Sequence, residues 1–232
     1  MLRKCSLVEG EIYHIYNRGT DKRIIFQDIF DYRRFVKLLF FCNSYKPLDY
    51  RSISKCNSFG KFIEKRGTTL VDIGAYCLMP NHFHLLIRKK EPQSVSIFMK
   101  KLSTAYSMYF NAKNSRTGKL FESVFKNSHA NSDQYLKYLF AYIHLNPLKL
   151  LQPDWKENGI RDRELATNYL RNYEFSSHTD YSGTDRETSL ILNKLSFPEY
   201  FGNELDLQDY DKFISDWMFA EESPLHTEES PK

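Results

Sequence analysis

At 232 residues, 27% of them charged and 16% aromatic, the chain is long enough for one sizeable core with an appendage. No apolar run reaches the length of a membrane span, and the N-terminus lacks an apolar signal-peptide core, so a membrane protein is not expected. Cys5, Cys42, Cys56 and Cys77 form no Cys-x-x-Cys pair, which excludes a zinc ribbon and a disulfide framework and points to a reducing, cytoplasmic setting. The net charge of +4 is unevenly spread. Residues 199–232 hold ten acidic and two basic residues, leaving +12 on the rest. A basic body with interleaved aromatics suits a nucleic-acid backbone, and nucleoid association follows from it.

In chain order, Glu11 to Gly19 reads as a strand, with Ile12, His14 and Tyr16 on one face. Arg18 at its end suits a phosphate or an exposed salt bridge equally. Asp28 caps a helix whose apolar positions run Ile29, Tyr32, Phe35, Val36, Leu39 and Phe40. From Lys46 to Thr69 the periodicity is lost while six basic residues accumulate. This stretch reads either as a DNA-contacting insertion or as a mobile loop. Leu70 to Met79 and His82 to Arg88 are strands joined by a tight turn at Pro80-Asn81. Ser94 caps the next helix, which buries Val95, Phe98, Met99, Leu102, Tyr106, Tyr109 and Phe110. A fourth strand is expected over Leu120 to Ala130.

The last strong element is a helix opened by Asn131 or Ser132 and stopped by Pro147. Leu136, Leu139, Phe140 and Ile143 form its buried stripe. Tyr135, Tyr138, Tyr142 and Asn146 form an adjacent one that looks along the sheet edge. Strand, helix, strand, strand, helix, strand is the split βαβ plan, an α+β arrangement with helices on one face of an antiparallel sheet. The tyrosine helix is extra to it. Beyond Leu151 the expectations are turns at Phe175-Ser176-Ser177 and Tyr181-Ser182-Gly183, a short helix over Leu190 to Leu195, and a final helix from Asp209 to Phe219. The domain reading is a catalytic domain over 1–151 with its 46–69 insertion, an extension over 152–220, and a disordered acidic tail over 221–232.

The chemistry centres on Met79-Pro80-Asn81-His82-Phe83-His84-Leu85-Leu86-Ile87. His82 and His84 share a strand face, about 6–7 Å apart, with Phe83 in the core behind. Two imidazoles make half a metal site. Asn146, one helical turn from Tyr142, can complete it with an amide oxygen. Such a donor set leaves room for water and phosphate and suits Mg²⁺ or Mn²⁺. A tyrosine in line with a polarised phosphodiester can attack phosphorus, keeping the bond energy in a 5′-phosphotyrosyl link. Tyr135 and Tyr138 are rival nucleophiles that lack an Asn146 equivalent one turn later. His144 points elsewhere and is structural or exposed; His129 is read as a plain strand residue. Lys100, Lys101, Lys113, Arg116 and Lys119 are candidate phosphate contacts from charge and position.

The Met79–Leu86 motif resembles the metal-binding motif of the HUH single-strand, insertion-sequence-200-like transposases. Tyr142-Ile143-His144-Leu145-Asn146-Pro147 resembles their catalytic helix. Tyr13-His14-Ile15 with Asn17-Arg18-Gly19, the loop before Gly118, and Phe175-Ser176-Ser177 resemble the REP-associated tyrosine transposase branch. The resemblance spans about Ile12 to Ser177. It implies a ferredoxin-like fold, a divalent cation on His82 and His84, Tyr142 as nucleophile, and cleavage and joining of single-stranded DNA near hairpins by a monomer or homodimer. Asn146 stands where the short transposases carry Gln. A hairpin-binding protein without chemistry, and a metal hydrolase using water, are the competing readings.

Overall fold

In the computed structural model, residues 7–47, 49–199 and 207–219 are described. The acidic tail over 221–232 lies outside them, as does Cys5. Four strands, β1 (Ile12–Arg18), β2 (Val71–Met79), β3 (His82–Lys89) and β4 (Lys126–His129), form an antiparallel sheet in the order β2-β3-β1-β4. With α1 (Ile29–Cys42) after β1 and α4 (Ser94–Lys113) after β3, this is the ferredoxin-like topology the element order predicts.

Each element forms for local reasons. The Asp28 carboxylate accepts from the Phe30 and Asp31 amides and starts α1. Asn43, just past its end, exchanges two 3.0 Å hydrogen bonds with the Val71 backbone and ties α1 to the start of β2. Ser94 is not the cap of α4: Gln93 takes that place in left-handed backbone, and the Ser94 hydroxyl accepts from the Glu91 amide. The fourth strand is shorter than expected. Lys126 to His129 pair with β1 as a strand, while upstream the pairing thins to a Gly19–Phe121 bridge and the Glu122 amide on the Arg18 carbonyl, because Leu120, Phe121 and Phe125 all turn into the core and break the alternation a strand needs. Asn17 bridges the irregular stretch, donating to the Ser123 and Val124 carbonyls.

The segment after Lys46 is folded, not a mobile loop. It forms α2 (Tyr50–Lys55) and α3 (Ile63–Arg66), and buries Ile53, Cys56 and Phe59 in the same core as α1 and α4. That core covers one face of the sheet, with Phe83, Leu85 and Ile87 of β3 pointing into it.

The other face carries α5 (Asp133–Leu145), capped by the Ser132 hydroxyl on the Tyr135 amide. Leu136, Leu139, Phe140 and Ile143 are buried as the periodicity requires, and Tyr138, Tyr142 and Asn146 are buried as well. Pro147 ends α5, yet the chain resumes as α6 (Leu148–Leu151) one residue later. Beyond it lie α7 (Trp155–Asn158), α8 (Arg163–Asn172), α9 (His178–Tyr181) and α10 (Leu207–Phe219). The helix α8 was not foreseen. Two short 3₁₀ turns, Glu187–Ile191 and Lys194–Ser196, stand near the expected Leu190–Leu195 helix. Trp155, Leu170, Tyr181, Tyr210 and Ile214 from these elements share one core with α5, Cys77 and Leu86. A bulge between Ile73 and Ala75 leaves Gly74 against Phe197, whose ring lies 2.6 Å from where a Cβ would stand.

The Phe175-Ser176-Ser177 turn fastens α5 to the sheet. Ser176 bridges Cys77. The buried Ser177 hydroxyl accepts from the Tyr76 amide at 2.9 Å and stands 2.7 Å from His144 Nε2. His144 is therefore structural and fully buried. Ser177→Ala should cost about 1–3 kcal/mol by stranding two buried polar groups. Urea denaturation measures it, and a change under half a kcal/mol would refute the tether.

Candidate active site

The register of the sheet builds the site. His82 pairs with Arg18 and Met79, His84 with Tyr16 and Cys77, and His14 lies diagonally across from His84 on β1. Since residues two apart share a face, His14, Tyr16, His82 and His84 all project to the side that α5 covers. Tyr142 comes down onto them from α5, its ring edge-on to His84 at 5.4 Å between centroids and to His14 at 5.9 Å.

Tyr16, His82, His84 and Tyr142 border a cavity of about 180 Å³ lined also by Asn17, Arg18, Asn81, Glu122, Lys126 and Lys149. Rings of His82 and His84 stand 4.8 Å apart and nearly perpendicular. Asn81 donates through Nδ2 to the Lys22 carbonyl, so its Oδ1 is the atom facing His82 Nδ1 at 2.6 Å. An oxygen can only accept, so His82 carries its proton on Nδ1 and keeps a lone pair on Nε2. His84 Nδ1 meets His14 Nε2 at 2.8 Å, leaving His84 Nε2 buried without a partner. Asn146 donates to the Tyr142 carbonyl and leaves its Oδ1 equally buried and orphaned. Buried acceptors without donors are rare and mark a place for a ligand. In donor chemistry two imidazole nitrogens and one amide oxygen suit a divalent cation; His82 and His84 line the cavity and Asn146 does not. Among the described residues there is no cluster of three or more His, Cys, Asp or Glu that could hold a metal.

Burial governs the protonation states. It lowers His82 to about 3, helped by the Lys149 and Arg18 charges, and holds His84 well below its ordinary value. Both stay neutral, as ligands must be. Burial also raises the Tyr142 phenol, against the influence of the Asn146 amide, so the resting hydroxyl is protonated at neutral pH. Lys149 lies two turns beyond Tyr142 with its ammonium 5.8 Å from the ring, and Lys156 of α7 stands 4.7 Å from the same ring.

The structure thus brings together His82, His84, Tyr142 and Arg18, with Asn146 one turn along α5. Tyr135 and Tyr138 continue a stacked ladder away from the cavity, which neither lines. Arg18 holds Glu122 at 3.0 Å at the cavity wall. The other predicted phosphate contacts divide. Lys100 and Lys119 border a shallow groove along α4 that meets the cavity at Glu122. Lys101 bonds the Ser44 and Lys46 carbonyls, Lys113 pairs with Asp28 and Asp31, and Arg116 bonds Asn111 and the Lys119 carbonyl. His129 pairs with Glu11 at 2.9 Å on the opposite side of β1, in keeping with a plain strand role. Sequence reasoning missed His14, although alternation had already set it on the face of Tyr16. It also missed Lys149 and Lys156; the first is signalled by its seven-residue spacing from Tyr142, the second by nothing local.

Residues 54–146 match the family model described as "Transposase IS200 like". The matched span runs from within the 46–69 stretch through both histidines to the end of the tyrosine helix. Among solved structures it is similar to one described as the REP-associated tyrosine transposase bound to a REP hairpin, at 10% identity and a TM-score of 0.45, over 79% of this chain and 86% of that one. No curated protein matches the chain. No helix among the described residues is long and apolar enough to cross a membrane.

Proposed function

We propose that this protein cleaves and rejoins single-stranded DNA near hairpins through a covalent 5′-phosphotyrosyl intermediate on Tyr142, with Mg²⁺ or Mn²⁺ held by His82, His84 and Asn146. The supporting observation is that His82, His84 and Tyr142 line one cavity, with His84 Nε2 buried without a partner and the orphaned Asn146 oxygen one turn along from Tyr142. When bound, the cation would act as a Lewis acid on the scissile phosphodiester. The chain's own residues do the rest. Tyr142 Oη forms a bond to phosphorus as the bond from phosphorus to the 3′ oxygen breaks. The phenolic proton passes to solvent, and the departing oxygen takes one up. Lys149 and Arg18 place positive charge on the cavity wall, where the phosphate sits. Because the tyrosyl ester keeps the bond energy, a later 3′-OH can reverse the step and join strands without ATP. Hairpin recognition rests on the resemblance of the Met79–Leu86 and Tyr142–Pro147 motifs to those of the single-strand transposases. The groove past Lys100 and Lys119 offers a path for the strand leaving the cavity.

The test is a denaturing gel of the full chain with end-labelled hairpin DNA and Mn²⁺ or Mg²⁺. A protein–DNA band that survives denaturation and vanishes with chelator is the expected result. Cleavage with no such band would indicate a water nucleophile. Binding with neither would mean a hairpin-binding protein without chemistry.

A further inference from the structure

We infer that His14 is a positioning residue for the cation site, fixing His84 in the one tautomer that presents a lone pair to the cavity. The inference rests on the metal-site reading above. An imidazole binds a cation through an unprotonated nitrogen, and which nitrogen is free is set by the hydrogen bond at the other. For His82 that bond goes to Asn81. For His84 the partner is His14, at 2.8 Å from Nε2 to Nδ1. If His84 is to offer Nε2, its proton lies on Nδ1 and His14 Nε2 accepts it. His14 then carries its own proton on Nδ1.

His14 is placed for that task and no other the cavity requires. It is 2% exposed and does not line the cavity. Its ring packs against Tyr16 at 4.9 Å between centroids and meets His84 side by side at 5.0 Å, with the edge of Tyr142 against it. Such packing leaves the ring little room to rotate, so the acceptor nitrogen stays aimed at His84. Burial also keeps His14 neutral, which an acceptor must be. Ligating histidines ordinarily lean on a carboxylate or a backbone carbonyl. Here the His84 partner is a neutral imidazole and the His82 partner a neutral amide. Neither adds negative charge, so a bound cation would keep its full attraction for a phosphate.

The experiment compares full-length parent, His14→Phe, His14→Gln and His84→Ala by Mn²⁺ titration, following free Mn²⁺ by electron paramagnetic resonance. Phenylalanine keeps the stacked ring and loses the acceptor; glutamine keeps an acceptor and loses the ring. His14→Phe should weaken Mn²⁺ binding about 10- to 100-fold, the usual range for such partners. His14→Gln should recover most of it, and thermal melts should show both variants folded. Unchanged affinity in folded His14→Phe, or an equal loss in both variants, would overturn the inference and leave the metal reading standing. A parent that binds no more Mn²⁺ than His84→Ala would remove the metal reading and the inference with it.

Discussion

Tyr142→Phe should yield no covalent protein–DNA product while hairpin binding stays within a few-fold of the parent. The expected loss is on the order of 10⁴-fold or more, the scale seen when a covalent nucleophile is removed. The substitution keeps the ring that meets His84, His14 and the Lys156 ammonium, so stability should shift by no more than about 1 kcal/mol. Retained fold and retained binding separate lost chemistry from lost structure. A residual adduct would point to Tyr16, which lines the same cavity beside His84. Cleavage that continues without an adduct would transfer the chemistry to water.

The second large effect acts through the core. Phe83 stands between the two histidines in sequence and is completely buried on the opposite face, against Phe35 and Phe121. Phe83→Ala should cost about 3–5 kcal/mol, combining lost burial with the cavity left behind. A chemical melt with a lowered midpoint and unchanged slope is the expected signature. Activity should fall with the folded fraction and return under stabilising conditions, unlike that of Tyr142→Phe. A cost under about 1 kcal/mol would mean that the strand is held by its hydrogen-bonded neighbours and not by this ring.

Residue patterns carried the sheet and the grouping of the candidate site residues because both rest on short-range regularities. Period two in β1, β2 and β3 set the histidines on one face, and the 3.6 period of α5 set Tyr142 beside Asn146. Three things escaped for separable reasons. His14 joins the site through strand pairing, a relation between residues 70 apart that no local window holds. The 46–69 insertion buries Ile53, Cys56 and Phe59 at a spacing of three, too short a run among polar and charged residues to mark an element. The fourth strand was overextended because Leu120, Phe121 and Phe125 read as strand formers, whereas their common burial ends the pleat. The same limit applies to the Ser177 tether, whose partners Tyr76 and His144 lie on β2 and α5, far back along the chain.

That tether has a consequence for the order in which the protein becomes competent. The strands bearing the histidines are complete by Lys89 and their supporting helix by Lys113, whereas the groups that clamp α5 come from Ser177, Tyr181, Tyr210 and Ile214. During synthesis or refolding, the half that bears His82 and His84 can form before the half that bears Tyr142 and Asn146 is fixed. Pairings of such long sequence separation close slowly, because the loop entropy is lost before the contacts form. Until the late segments dock, Tyr142 and Asn146 are not held over the histidines, so the candidate site is assembled last.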